Sequence, residues 1–281
     1  MKIAVLLTTF NRKEKTIACL QSLTAQKLPD GVEIEVFLTD DNSKDGTAEA
    51  VKDVFPGIHV YGGSGSLFWA GGMRYSWKQA MLYPFDYFLL LNDDTVLYEK
   101  AISILLDSNR TEIAVCVGTT LDKASGSLSY GGRKVSSGFF QLKSYKVHSD
   151  TAYVECDLGN ANIMLVPKDV VNKVGILSDV FTHGIADYDY TLKVKKQGFP
   201  VLVAPGILGY CVDDHGNNWK SAKVGLKERI KYLKSPKGLA YKEYLHYIKS
   251  HFPLHYPSAF CKLWMKTFFP FLWDSFKKSN S

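Results

Sequence analysis

The chain has 281 residues, of which 46% are hydrophobic and 22% charged, a balance that excludes a disordered or collagen-like protein and allows one large α/β domain or two modest ones. Five scattered cysteines, with no Cys-x-x-Cys pair, exclude a disulfide scaffold or zinc knuckle and predict a reducing, cytoplasmic setting. The net charge of +6 hides an asymmetry: residues 220–281 carry 13 Lys/Arg against three acids, so the basic character belongs to the tail.

The apolar stretch over residues 2–8 is too short for a signal peptide and predicts a buried first strand. Asn11 with Glu14 three residues on predicts a capped helix carrying Ile17, Leu20 and Leu23. A second strand, Val32 to Thr39, leads into the turn Asp40-Asp41-Asn42-Ser43 and a helix to about Val54. Strand, acidic turn and helix alternate here as in βαβ units. A short strand over Ile58–Tyr61 precedes the glycine-rich run Gly62–Gly72, which opens a helix from about Met73. No Gly-x-Gly-x-x-Gly follows the first strand, which argues against a Rossmann-type dinucleotide fold.

Tyr87-Phe-Leu-Leu-Leu91 is fully apolar, as a strand buried on both faces of a largely parallel sheet must be. Asn92-Asp93-Asp94-Thr95 would then project from its carboxyl end, where open α/β sheets bind ligands. Adjacent carboxylates repel unless a cation or donor-rich neighbour holds them, and hard oxygen donors suit magnesium, manganese or calcium shared with a phosphate. Asp-Asp also fills turns and caps helices.

Beyond Asn92 the pattern predicts a helix near Glu99–Leu106, a strand over Ile113–Val117 and hairpins or loops across 122–151. A strand over Asn162–Val166, a helix over Asp187–Gln197 and a strand over Val201–Ala204 follow. From Ser221 onward come three helical segments rich in aromatics and lysine. No run of 18 apolar residues predicts a membrane span.

Five ordered segments, Thr8-Thr-Phe-Asn-Arg12, Thr39–Thr47, Leu91–Thr95, His183–Tyr190 and Asp214-His215, resemble the family 2 nucleotide-sugar glycosyltransferases of the GT-A fold over residues 2–216. The resemblance implies a GT-A-type α/β fold, a mixed, mostly parallel sheet flanked by helices, over 1–219, with a helical C-terminal extension over 220–281. It implies donor binding by Thr8, Asn11, Arg12, Asp40, Asp41 and Asp93, with Trp69 and Arg74 beside the glycine-rich run. Asp41 or Ser43 as a helix cap, and Trp69 as core, are the alternatives. Asp94 matches the last carboxylate of the family's Asp-x-Asp motif and implies a ligand for Mn2+ or Mg2+, helped by His215 and by Asn92, which stands where the first Asp is common.

Asp187 falls where inverting members keep the general base, although Ala186 replaces the preceding Glu and an N-cap role is open; Asp189 would bind acceptor hydroxyls. Phe-Trp-Ala-Gly-Gly72 and Leu-Asn-Asp-Asp-Thr95 look most like bacterial rhamnosyltransferase-type members of surface polysaccharide or O-antigen assembly. The processive synthases carry membrane spans and Gln-x-x-Arg-Trp, both missing here. A catalytically inactive sugar-nucleotide or glycan-binding scaffold and a nucleotidyltransferase are the rival readings. The implied partners are a nucleoside-diphosphate sugar and a saccharide or lipid-linked saccharide acceptor. Lysines among aromatics over 256–281 suit peripheral contact with the inner face of the cytoplasmic membrane, with dimer or core packing as the alternative. No nucleic-acid motif accompanies the charge.

Overall fold

The computed structural model describes residues 1–109, 112–138, 142–212 and 224–271. In chain order the first half runs β1 (Lys2–Thr9), α1 (Lys13–Thr24), β2 (Glu33–Asp40), α2 (Thr47–Val54), β3 (His59–Gly62), α3 (Phe68–Ala80), β4 (Tyr87–Leu91), β5 (Val96–Leu97), α4 (Ala101–Asp107), β6 (Val115–Val117) and β7 (Thr120–Leu121). The second half runs β8 (Gly132–Ser137), β9 (Leu142–Val147), β10 (Val154–Glu155), β11 (Leu158–Gly159), β12 (Ile163–Pro167), α5 (Lys168–Val174), α6 (Ala186–Lys196), β13 (Val201–Val203), β14 (Gly209–Tyr210), α7 (Leu226–Lys234), α8 (Tyr241–His251) and α9 (Tyr256–Phe268).

Among the described residues eight strands form the central sheet, in the order β10-β13-β6-β12-β4-β1-β2-β3. The pairs β1–β2, β1–β4, β2–β3 and β6–β13 are parallel, whereas β12 runs antiparallel to both neighbours. This is the mixed, mostly parallel α/β fold anticipated from the sequence. Period-two alternation divides the core: Ala4, Leu6, Phe37 and Leu90 face α3 and the C-terminal helices, while Ile3, Val5, Leu7, Leu38, Leu89 and Leu91 face α1, α2 and α4. Burial on both faces is why these strands read as continuous apolar runs.

Two local expectations were wrong. The capping box at α1 does not form: Asn11 sits at φ 52, its side-chain oxygen accepts the N–H of Lys44 at 2.7 Å, and Arg12 takes the N-cap position without a side-chain cap. A long-range partner outbids the local one. The third helix begins at Phe68, five residues early, and absorbs Gly71 and Gly72. Gly72 packs so closely on β1 that a Cβ there would lie 2.0 Å from the Thr8 Oγ1. Close backbone approach therefore overrides glycine's weak helix propensity.

The three C-terminal helices lie on the face of the sheet opposite α1, with Leu233, Leu245, Tyr247, Ile248, Ala259 and Leu263 joining its core. Buried Ala259, Leu263 and Thr267 face inward along α9, while Phe260, Met265 and Phe268 are exposed. Trp264 is turned in, its indole N–H donating to the Tyr241 hydroxyl at 3.1 Å. Among the described residues no helix is long and apolar enough to cross a membrane. Leu272, Trp273 and Phe276, part of the expected interfacial segment, lie outside them.

Candidate functional site

Parallel registry brings three strand ends to one edge. Thr9 pairs with Asp40 and Leu6 with Leu90, so the segments after β1, β2 and β4 emerge together at the carboxyl edge of the sheet. Because β12 is antiparallel to β4, with Ile163 opposite Leu91, it presents its amino end there, bringing Asn160 and Asn162 to the same place. A cavity of about 650 Å3 opens over this edge.

Thr8, Arg12, Asp41, Trp69, Asn92, Asp93, Asp94 and Asp187 all line it. The Arg12 guanidinium spans the paired carboxylates: Nη1 donates to Asp94 Oδ2 at 2.7 Å and to Asp93 Oδ1 at 3.2 Å, with Lys15 Nζ 3.9 Å from Asp94 Oδ2. Both carboxylate side chains are only 8% exposed. Burial pushes the Asp93 carboxyl up to about 6, Arg12 opposing this and the Asp94 charge adding to it. Asn92 is held by Trp69, whose indole N–H donates to its side-chain oxygen at 2.8 Å. Behind the turn stand the thiols of Cys19, bonded to the Asn92 carbonyl, and Cys211, bonded to Asp94 Oδ1. Burial raises both thiols far above their usual range, Cys211 to about 12, so they stay neutral and act as weak donors.

The two aspartates after β2 have divided tasks. Asp41 Oδ1 accepts the N–H of Gly65 at 2.7 Å, and its Oδ2 those of Leu67 at 2.9 Å and Phe68 at 3.1 Å, so this carboxylate shapes the glycine-rich loop. Gly63 fits beside it only for want of a side chain, since a Cβ would lie 2.6 Å from Asp41 Oδ1. Asp40 accepts the N–H of Ser43 at 2.6 Å on Oδ1, while its buried Oδ2 has no partner among the described residues and the residue does not line the cavity.

Asp187, in the first turn of α6, lines the same cavity. The N-cap is Ile185, not Asp187. Oδ1 of Asp187 accepts the N–H of Tyr188 at 2.9 Å, and Oδ2 accepts Ala161 N–H at 3.3 Å and Asn160 Nδ2 at 3.4 Å. Burial raises this carboxyl above its ordinary value, while these donors favour the ionised form.

Besides Asp40, three further expected site residues lie off the cavity. Asn11 is occupied with Ser43 and Lys44. Arg74 donates to the carbonyls of Ser178 and Phe181 at 2.7 Å each. Asp189, 1% exposed, binds His251 and Lys193 and does not line the cavity. His215 lies outside the described residues.

Sequence reasoning did not single out Phe10, Tyr130, Asn160, Asn162, His183, Tyr188 or Lys237 as site residues, yet all of them line the cavity. Lys237, from the turn before α8, sits with Nζ 5.8 Å over the Phe10 ring. Polar Asn160 and Asn162 ahead of the apolar run Ile163–Val166 carried a usable signal, the mirror image of Asn92 behind Tyr87–Leu91.

A divalent cation has a partial donor set here. Among the described residues Asp93 Oδ2 is buried without a hydrogen-bond partner and Asp94 offers hard oxygens, although Arg12 already counters their charge. Among the described residues no group of three or more His, Cys, Asp or Glu converges. Such an arrangement fits an ion of the magnesium or manganese kind, which commonly takes one or two carboxylates and completes its shell with water and substrate phosphates.

Residues 4–158 match the family model described as glycosyl transferase family 2. Among solved structures, the chain is similar to the mannosyltransferase PcManGT from Pyrobaculum calidifontis, in complex with GDP-Man and Mn2+, at TM-score 0.55 and 12% identity, covering 94% of this chain and 74% of that one. It is similar to S. aureus TarS at TM-score 0.57 and 16% identity, covering 90% of this chain but only 44% of that one. TarS 1-349 in complex with UDP-GlcNAc gives TM-score 0.54 and 17% identity, with 89% and 73% coverage. At these identities the likeness concerns the fold. No curated protein matches the chain.

Proposed function

The chain belongs to glycosyl transferase family 2, and from that premise we propose that it is an inverting glycosyltransferase moving a sugar from a nucleoside-diphosphate sugar to an acceptor hydroxyl. The observation that carries this reading is one cavity lined by Asp93, Asp94 and Arg12 and also by Asp187. The acidic pair suits a metal-bound diphosphate, and Asp187 offers a base.

In this reading Asp94, helped by Asn92 and His215, would hold Mn2+ or Mg2+, which when bound would balance the charge growing on the departing nucleoside diphosphate. Thr8, Arg12, Asp41, Trp69 and Asp93 form the donor side, and Lys237 adds a cation there. Asp187 takes the proton from the acceptor hydroxyl as that oxygen attacks the anomeric carbon from the face opposite the diphosphate. Its raised pKa makes it a stronger base, and the N–H groups of Ala161 and Tyr188 favour its ionised form. Asn160 donates both to the Tyr188 hydroxyl and to Asp187, so these two polar groups stand beside the base.

We assign the transferase domain to 1–219 and the extension to 220–281. The donor class is supported by the ligands of the similar structures, GDP-Man in one and UDP-GlcNAc in the other. The motifs favour a rhamnosyltransferase-like role in bacterial surface polysaccharide or O-antigen assembly, with the protein cytoplasmic and a lipid-linked acceptor met at the membrane through the exposed aromatics of α9. The test is a panel of nucleotide sugars scored by thermal shift with manganese, since a ligand stabilises according to its affinity. A selective sugar nucleotide that is then hydrolysed slowly without acceptor supports the proposal. A protein stabilised by none of them refutes it.

A further inference from the structure

Helix α8 touches the segment that carries Asp187 at two points. Near its start, Glu243 accepts the Thr182 N–H on Oε2 at 3.0 Å and the Thr182 hydroxyl on Oε1 at 2.6 Å. A carboxylate that takes both donors of one threonine fixes the position and the rotation of that residue. At its other end, His251 Nε2 lies 2.7 Å from Asp189 Oδ1, in a pair whose side chains are 2% and 1% exposed, and Lys193 Nζ lies 2.7 Å from Asp189 Oδ2. Burial alone would raise the Asp189 carboxyl, yet it is held below its ordinary value, because the hydrogen bonds from His251 and Lys193 outweigh desolvation.

Thr182 and Asp189 bracket the stretch 183–188, in which His183, Gly184, Ile185, Asp187 and Tyr188 line the cavity. Inside that stretch Ile185 sits at φ 70. A β-branched residue rarely adopts the left-handed region, and such strain persists only where the surroundings over-determine it. Helix α3 restrains the approach to this segment, through Arg74 to the carbonyls of Ser178 and Phe181 and through Ala70 N–H to the Thr182 carbonyl. Beyond those contacts, the carboxylate of Glu243 and the imidazole of His251 hold the two flanks of the strained turn.

We propose that Glu243 and His251 are positioning residues: α8 clamps the 183–188 segment at both flanks, maintains the strained turn at Ile185 and thereby aims Asp187 into the cavity. The C-terminal extension, outside the family-matched residues 4–158, is then part of the catalytic device. This inference rests on the assignment of Asp187 as base.

Apart from Trp69 on α3 and Lys237 in the turn before α8, the donor side is built from the segments after β1, β2 and β4, and among the described residues Glu243 and His251 bond to Thr182 and Asp189, not to it, so the clamp should act on turnover and spare donor affinity. With the best nucleotide sugar of the panel, Glu243→Ala and His251→Ala should lower kcat by about 10- to 100-fold, the scale of a misplacement near 1 Å, with nucleoside diphosphate affinity by calorimetry unchanged. Glu243→Gln and His251→Gln, which retain one hydrogen bond each, should recover most of the loss. Should the alanine variants fail to fold, Thr182→Ala deletes only the hydroxyl contact and should still lower kcat at unchanged affinity. Wild-type turnover in the folded variants, or a joint loss of kcat and affinity without rescue by glutamine, would overturn the clamp while leaving the transferase reading intact. An inactive wild-type protein that binds no nucleoside diphosphate would overturn both.

Discussion

Replacing Asp187 by Asn separates catalysis from capping, because the two roles predict opposite pairs of results. Burial is the largest influence on this carboxyl and raises its pKa, with the donors at Ala161, Tyr188 and Asn160 only partly compensating. A folded-state pKa above the unfolded value means that the unfolded chain ionises first, so this group's contribution to stability falls as pH rises through the unfolded value of 3.8. At neutral pH the ionised side chain is therefore a net cost to the fold. Asparagine is neutral at every pH and keeps an acceptor for the Tyr188 N–H. The Asp187→Asn protein should thus unfold at the same temperature as wild type or higher. Turnover should fall by about 10²- to 10⁴-fold, equivalent to about 2.7–5.4 kcal/mol of transition-state stabilisation, the scale for losing general-base help. Nucleoside diphosphate affinity should not change, since donor binding is assigned to Arg12, Asp93, Asp94 and their neighbours and not to Asp187. The assay is product release under single-turnover conditions beside thermal denaturation in one buffer. Near-normal turnover would return Asp187 to a structural role and refute the reasoning.

Nucleoside diphosphate should bind more tightly with manganese or magnesium, and Asp94→Ala should abolish the difference; equal calorimetric affinity in wild type with and without metal would rule the ion out. Gly72→Ala sets a Cβ 2.0 Å from Thr8 Oγ1, so it should destabilise the protein by about 1–3 kcal/mol, as overpacking does, and weaken donor binding; an unchanged melting temperature contradicts the close packing of α3 on β1. Because Asp189 is held below its ordinary value of 3.8, its stabilisation is complete above that pH and lost as pH falls through the lower folded value. The stability gap between wild type and Asp189→Asn should therefore close in acid, and a gap that persists at low pH counts against the pairing. Serine at Phe260, Met265 and Phe268 should abolish flotation with anionic liposomes at low salt while sparing donor hydrolysis; unaltered flotation refutes membrane contact through α9. Substitution is the sharper test than truncating 256–281, since Ala259 and Leu263 belong to the core.

What the sequence disclosed is what depends on short range. Tyr87–Leu91 is apolar throughout because β4 is buried on both faces, and that alone located Asn92, Asp93 and Asp94 at a ligand-binding edge. The same logic failed at β12 because the direction of a strand is not encoded in its burial pattern. An apolar run preceded by Asn160 and Asn162 reaches the site only if it runs antiparallel to β4, and pairing Ile163 with Leu91 is a decision of the whole sheet. Asn11 failed for a related reason, since its local capping role lost to Lys44, 33 residues away. The start of α3 was misjudged because glycine reads as a helix breaker until Thr8 is known to lie against it.

The charges show the limit most clearly. The resemblance assigns Arg12 and Asp93 to the donor and Asp94 to the metal, but nothing local announces that the arginine bridges the two carboxylates. That bridge changes the chemistry, because a guanidinium already in place removes much of the repulsion that made a metal necessary on electrostatic grounds. Any ion entering must compete with Arg12 at Asp94 Oδ2, and the gain from releasing Arg12 is greatest when a diphosphate is present to receive it. Metal and donor should accordingly bind with positive coupling, each weakly alone and together more tightly, with the coupling reciprocal as linkage requires. Arg12→Ala should erase that coupling by letting the metal bind without nucleotide, an outcome calorimetric titration of manganese into the donor-free variant can detect. Equal, weak manganese binding in donor-free wild type and variant would mean that Arg12 is not the gate.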